Sequence, residues 1–316
     1  MKISLRETAQ TIQSAQKIVI TAHVNPDGDA IGSSLGLWHF LRSLGKDVQV
    51  LIDDDIPAAF SVLPGYELIG RPQEGTGIDA DLLIALDVSL DRVGLVSTVV
   101  KAPVLNIDHH ITNDDLADKL YLDGTCAATA EIIYQIVNEM QGQFSSESAM
   151  CLFTGIATDC GWFRYSNTTP ATMRAAADLL SCGVEPSRIS EALEQKPYSH
   201  VKGLANAMQH IEVWHEGRAA GVFLDLAVME AIEHADGLID MVRVIEGVEV
   251  AVVMKEKEQD ICRVSMRSKG RDVTKAALKF GGGGHIRAAG CAIRRPFAEA
   301  KAALMAAVDD VLEAES

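Results

Sequence analysis

Along the first half of the chain, apolar residues come in short unbroken runs separated by longer stretches of mixed character. KIVITA (17–22), DVQVLI (47–52), ADLLIALDV (80–88) and APVLNI (102–107) have the length and continuity of strands buried on both faces. Between them, DAIGSSLGLWHFLRSLG (29–45) sets Leu35, Trp38, His39 and Leu41 near one helical face and stops at Gly45, a C-cap residue. ATAEIIYQIVNEM (128–140) reads as a second amphipathic helix. Strand–helix alternation of this kind predicts an α/β fold with a doubly wound, mostly parallel sheet.

Beyond about residue 160 the pattern changes. Helices are expected over 169–183 and over 185–196, the second entered through Pro186, and 197–214 reads as a connection. A smaller α+β unit follows, with strands over 218–226, 248–257 and 260–268, a helix over 272–280, four consecutive glycines and a terminal helix over 297–316. The expected organisation is therefore an N-terminal domain over 1–196, a linker over 197–214 and a C-terminal domain over 215–316.

Composition narrows the picture. A length of 316 residues suits two domains, and 48% apolar with 23% charged residues is ordinary for a soluble globular protein. No apolar run is long enough to span a bilayer and the N-terminus lacks a signal-peptide core, so a cytoplasmic location is expected. The six cysteines show no paired spacing and read as reduced, buried thiols. A net charge of -16 argues against long duplex DNA or RNA as the ligand. A small anion drawn to a local cationic pocket remains compatible with it.

The chemistry concentrates where apolar runs stop. His23, Asp27 and Asp29 follow the first, Asp87 ends another, and Asp108, His109 and His110 follow a third. In open parallel sheets the carboxyl ends of the strands line the ligand crevice, so these donors can converge. No Lys or Arg lies among them, and aspartates gathered there would repel one another and raise each other's pKa. Divalent cations remove that difficulty. A cysteine-free set of imidazoles and carboxylates suits Mn²⁺ best, with Mg²⁺, Co²⁺ or Zn²⁺ as alternatives.

Four segments, HVNPDGDAIGS (23–33), LLIALD (82–87), NIDHH (106–110) and GIATDCGWFRYSNTTP (155–170), resemble in order the motifs of the DHH phosphoesterase superfamily. FGGGGHIRAAGC (280–291) is similar to the glycine-rich signature of its DHHA1 substrate-binding domain. Within the superfamily the pattern is most similar to the nanoRNases and pAp phosphatases. The resemblance implies two divalent metal ions, with His23 and Asp27 on one, Asp29, His109 and Asp159 on the other, and Asp87 bridging. Asp108 would orient a histidine, His110 would face the substrate phosphate, and Asn25 would orient water or phosphate. A hydroxide shared by the two ions is the implied nucleophile. Arg267, Ser268, Gly281, Gly282, Gly283, Gly284 and His285 would hold the rest of the substrate, the glycine N–H groups curling around an anion.

The implied activity is 3′-to-5′ hydrolysis of short oligoribonucleotides, with pAp dephosphorylation beside it, no membrane partner, and a homodimer as a frequent family state. Hydrolysis of cyclic di-AMP or pApA is the alternative. A RecJ-type exonuclease would need an extended basic groove that no lysine-rich tract here supplies. DHH pyrophosphatases carry a different C-terminal domain. A non-catalytic nucleotide sensor would be expected to have lost ligands, and none is missing.

Overall fold

The structure is a computed structural model describing residues 1–113, 116–232 and 237–314. Two compact units divide it at Gln195, the first spanning Met1–Gln195 and the second Lys196–Ser316.

The first unit is built on six parallel strands: β1 (Lys17–Thr21), β2 (Asp47–Leu51), β3 (Ile69–Gly70), β4 (Leu82–Leu86), β5 (Val104–Asp108) and β6 (Lys119–Leu122). Their spatial order is β3-β2-β1-β4-β5-β6, with every pairing parallel. The order reverses between β1 and β4, which makes the carboxyl ends of these strands a switch-point crevice. Helices α1 (Leu5–Ser14), α2 (Gly28–Ser43), α3 (Thr129–Glu139), α4 (Ser146–Asp159), α5 (Pro170–Leu180) and α6 (Pro186–Glu194) complete the unit.

β4 is buried at all five positions, which is why its sequence is an uninterrupted apolar run. α2 and α4 pack so closely that a Cβ on Gly32 would lie 2.5 Å from the Cys151 carbonyl oxygen. This intimacy explains the glycines at 28, 32 and 36 of α2, spaced one helical turn apart. α4 itself has no polar face over Ser148–Ala157, since nearly all of that stretch is buried.

The second unit contains α7 (Tyr198–Met208), β7 (Ile211–Trp214), β8 (Ala219–Leu224), α8 (Leu226–Ala231), α9 (Leu238–Arg243), β9 (Val250–Glu258), β10 (Ile261–Ser268), α10 (Thr274–Leu278), β11 (Gly283–His285), β12 (Ala288–Arg294) and α11 (Phe297–Glu313). Its sheet runs β11-β12-β10-β9-β8-β7, antiparallel except between β8 and β9. Segment 197–214, expected as a linker, is instead a helix and an edge strand of this unit, because β7 pairs antiparallel with β8. The terminal helix was expected to reach residue 316, and its last two residues lie outside the described residues.

A charged clamp closes this unit. Glu249 accepts from Arg218 and Arg271, each at 2.6 Å, and the two guanidinium groups also donate to the Leu312 and Ala314 carbonyls at the end of α11. The hydrogen bonds from Arg218 and Arg271 hold the Glu249 carboxyl down at about 2. A depressed carboxylate pKa stabilises the fold above its unfolded value and loses that contribution as pH falls through the folded one. Glu249→Gln is therefore expected to cost about 1 kcal/mol at neutral pH, the screened value for a part-exposed pair. The gap between wild type and variant should close as pH falls from 4.5 to about 2, as thermal unfolding across that range will show.

Candidate metal centre

Strand register creates the site. Thr21 lies opposite Ala85 and Leu86 opposite Ile107, so the first residues past β1, β4 and β5 leave the sheet at one level. His23 and Asp87 follow β1 and β4 within two residues, and Asp108 ends β5 with His109 and His110 directly after it. α2 adds Asp27 as its N-cap, with Oδ1 accepting from the Asp29 and Ala30 N–H groups at 3.0 and 3.1 Å, and Asp29 in its first turn. α4 ends on Asp159 at the same place.

Among the described residues three overlapping groups of donors result, His23–Asp27–Asp87, Asp29–His109–Asp159 and Asp87–Asp108–His109–His110. His23 Nε2 stands 3.8 Å from Asp27 Oδ1 and 3.5 Å from Asp87 Oδ2. His109 Nε2 stands 3.5 Å from Asp87 Oδ1, 3.6 Å from Asp159 Oδ2 and 4.0 Å from Asp29 Oδ2. Asp87 thus turns one oxygen toward each histidine. Two ligand atoms each about 2.1 Å from one divalent ion are separated by roughly 3 to 4 Å, the spacing found here. His109 Nε2 is buried yet makes no hydrogen bond, which is costly for a nitrogen unless a cation completes it. The donor set therefore fits divalent metal.

Electrostatics point the same way. Burial, with the Asp87 and Asp159 charges, pushes the Asp29 carboxyl well above the usual carboxylate range. Burial likewise lifts Asp159 to about 6, against the pull of His109. Burial opposes protonation of the two imidazoles, but it is outweighed by Asp27 and Asp87 at His23, lifted to about 10, and by Asp87, Asp29 and Asp159 at His109, lifted to about 9. Protons serve as the counter-charge of these carboxylates, and divalent cations would serve better.

The supporting contacts include residues that the motifs alone did not single out. Both Asp29 oxygens accept backbone N–H groups opening α3, Thr129 at 2.6 Å and Ala130 at 2.8 Å, and the Thr129 hydroxyl donates to Asp87 Oδ1 at 3.2 Å. A threonine at the start of a helix was a visible signal, but only the fold brings it to Asp87. Asp108, fully buried, accepts from His110 Nδ1 at 2.8 Å, from the His110 N–H at 3.0 Å and from Asn113 Nδ2 at 2.6 Å. That contact with Asp108 raises the pKa of His110, which is half exposed. Asn25 adopts φ 55° between His23 and Asp27, its N–H held at 2.8 Å by Asp54.

The residues expected to hold the remaining substrate lie in the second unit. Arg267, Ala288 and His285 form one cross-strand row over β10, β12 and β11, and the small alanine leaves both flanking side chains room. Ser268 is buried, and its hydroxyl donates to the Arg271 carbonyl. Two of the four glycine N–H groups expected around an anion already have backbone partners. Gly281 and Gly282 donate their N–H groups to the Leu278 and Ala277 carbonyls at 3.1 and 3.0 Å, and Gly283 and Gly284 lie in β11. Close strand approach explains two of the glycines, since a Cβ on Gly282 or Gly284 would meet the Gly290 or Ala288 carbonyl oxygen at 2.2 or 2.4 Å.

Residues 17–156 match the model of the DHH family N-terminal domain, and residues 232–314 match that of the DHHA1 domain. The bifunctional oligoribonuclease and PAP phosphatase NrnA of Thermus thermophilus is 35% identical over 92% of this chain and 88% of its own. The cyclic-di-AMP phosphodiesterase PdeA of Listeria monocytogenes is 23% identical over 97% of this chain, which spans 49% of PdeA. An exopolyphosphatase-related protein from Bacteroides fragilis has a similar structure, with a TM-score of 0.85 and 26% identity over 97% of this chain and 95% of that one. With both domain models matched in order and a relative of this identity aligned along nearly its full length, the chain belongs to the DHH–DHHA1 family of phosphoesterases.

Proposed function

We propose that this protein hydrolyses short oligoribonucleotides from the 3′ end and removes the 3′ phosphate of pAp, using two divalent metal ions, Mn²⁺ first among the candidates. The observation that carries the reading is the Asp87 carboxylate, which turns one oxygen to His23 and the other to His109 and so links their donor groups. His23 and Asp27 would hold one ion, Asp29, His109 and Asp159 the other, with Asp87 shared. Such ions, when bound, supply positive charge for the phosphoryl oxygens and acidify water.

Both reactions break the same bond, between phosphorus and a ribose 3′ oxygen, so one arrangement serves both. Water oxygen joins phosphorus, and the departing 3′ oxygen leaves with a proton. His110 is the chain's own contribution at the phosphate. Asp108 occupies Nδ1 and favours the imidazolium, leaving Nε2 to donate to a phosphoryl oxygen. Asn25, at the exposed turn beside His23, is assigned to orienting water or phosphate.

Arg267 and His285 are assigned to the uncleaved part of the nucleotide, with Ser268 and Gly281–Gly284 beside them at the ends of β10 and β11. His285→Ala is expected to raise KM about tenfold on a diribonucleotide with kcat little changed, the pattern of lost uniform binding. Steady-state kinetics will separate the two constants.

The decisive assay supplies purified protein with Mn²⁺ and a panel of diribonucleotide, pAp, pApA and cyclic di-AMP. Mononucleotide release from the first and AMP with phosphate from the second are the expected products. Inertness toward both removes the reading. Turnover of cyclic di-AMP far above the linear substrates would replace it with the phosphodiesterase alternative.

A further inference from the structure

We propose that Asn106 is a positioning residue that sets the turn carrying Asp87 and, through Asn113, the carboxylate that orients His110; the inference rests on the phosphoesterase reading above. Asn106 lies within β5 and is 1% exposed, an amide among Val104, Leu105 and Ile107. Burying an amide in such a strand is unfavourable unless its hydrogen bonds are all made. Here they are directed at the site. Nδ2 donates to the Ala85 and Val88 carbonyls, each at 2.9 Å.

Those two carbonyls stand on either side of Asp87, whose φ of 57° is a left-handed conformation that a non-glycine residue adopts only under constraint. The Asp87 N–H meanwhile donates to the Ile107 carbonyl at 3.0 Å. One side chain and one neighbouring peptide therefore clamp the turn from both sides. They fix where the shared carboxylate points.

The other end of the amide reaches the second cluster. Asn106 Oδ1 accepts from Asn113 Nδ2 at 2.8 Å, and the same nitrogen lies 2.6 Å from Asp108 Oδ2 and 3.1 Å from the Val88 carbonyl. Asp108 Oδ1 in turn holds His110. The chemistry of this position calls for a side chain that both donates and accepts, as the amide does. Leucine would fill the volume without donors, and aspartate would present only acceptors to two carbonyls. A polar network of this kind specifies geometry when every member is satisfied.

The test uses the full chain with Asn106→Ala and Asn113→Ala. Each variant is measured by thermal unfolding without metal, by calorimetric titration with Mn²⁺, and by kcat and KM on a diribonucleotide. Asn106→Ala is expected to weaken Mn²⁺ binding about 10- to 100-fold and to lower kcat at least as much, with KM within about threefold. Asn113→Ala should lose about tenfold in kcat with a smaller loss of Mn²⁺ affinity than Asn106→Ala, because it removes the link toward Asp108 and His110 while Asn106 Nδ2 still holds the Ala85 and Val88 carbonyls.

A residue that merely packs would lower the unfolding midpoint of Asn106→Ala and leave Mn²⁺ affinity and kcat of the folded protein as in wild type. That result overturns the proposal. If Asn106→Ala does not fold, Asn113→Ala decides, and wild-type kcat there overturns the coupling. Failure of the functional reading looks different: the wild-type protein itself is then inert on diribonucleotide and pAp, while the Mn²⁺ titrations still report whether Asn106 sets Asp87.

Discussion

Asp87→Ala is expected to lower turnover by at least about 1000-fold, the largest effect of any single substitution in the chain. Its two oxygens are the elements common to both histidines, at 3.5 Å from His23 Nε2 and 3.5 Å from His109 Nε2. Losing them strips both donor groups at once, so Mn²⁺ titration should show fewer or much weaker sites. Metal-free stability carries opposing contributions. Asp87 is one of the charges that push Asp29 up, but it is also the partner of the His23 and His109 imidazoles, and alanine is poorly suited to its left-handed φ of 57°. The metal-free unfolding midpoint is therefore expected to fall modestly, far less than activity does. Asp87→Asn separates charge from shape, because asparagine tolerates the left-handed turn well. It too should be inactive, and near-normal turnover in either variant would remove the shared-ligand assignment.

Gly32→Val should be the most destabilising change outside the donor set. The obstacle to a side chain there is backbone, with the Cys151 carbonyl oxygen at 2.5 Å and the Gly155 nitrogen at 2.7 Å from the position of a Cβ. Backbone cannot rotate away, so α2 and α4 must separate, at a cost of about 3 kcal/mol or more. Because Asp29 rides on α2 and Asp159 on α4, that separation should also weaken metal binding. Gly36 provides the contrast. There the nearest atoms belong to the Leu152 side chain, at 2.5 Å, which can change rotamer. Gly36→Ala should thus be milder than Gly32→Ala, as thermal unfolding of the two alanine variants will show. Equal midpoints would mean that the helices tolerate displacement.

These two predictions differ in how visible their residues are in the sequence. Asp87 announces itself as a charge ending an apolar run, because the strand before it, Leu82–Leu86, is buried and apolar at every position. His23, Asp27, Asp29 and the Asp108–His110 segment stand out for the same reason. Gly32 gives no such signal. Its significance depends on α4, a helix that hydrophobic periodicity does not reveal, since burial around its whole circumference removes the alternation of polar and apolar faces.

The glycine run is ambiguous in the opposite direction. Four glycines leave a choice between an anion nest and a tight strand approach, and composition alone cannot distinguish them. The choice is made by pairing of β11 with β12, where carbonyl oxygens of the neighbouring strand occupy the space a Cβ would need. Segment 197–214 was similarly ambiguous, because β7 becomes a strand only through its partner β8.

Local sequence, then, determined the parallel α/β plan and marked the candidate donors at the strand ends, since both follow from where uninterrupted apolar runs stop, while Asp159 was marked only by the resemblance of its motif. Tertiary structure alone decided the rest: which oxygen faces which imidazole, the backbone N–H groups of α3 that hold Asp29, and the amide of Asn106 around the Asp87 turn. The reason is physical. Strand burial is written into composition at each position, whereas side-chain orientation depends on hydrogen bonds between residues up to 101 positions apart, which exist only after the chain has closed.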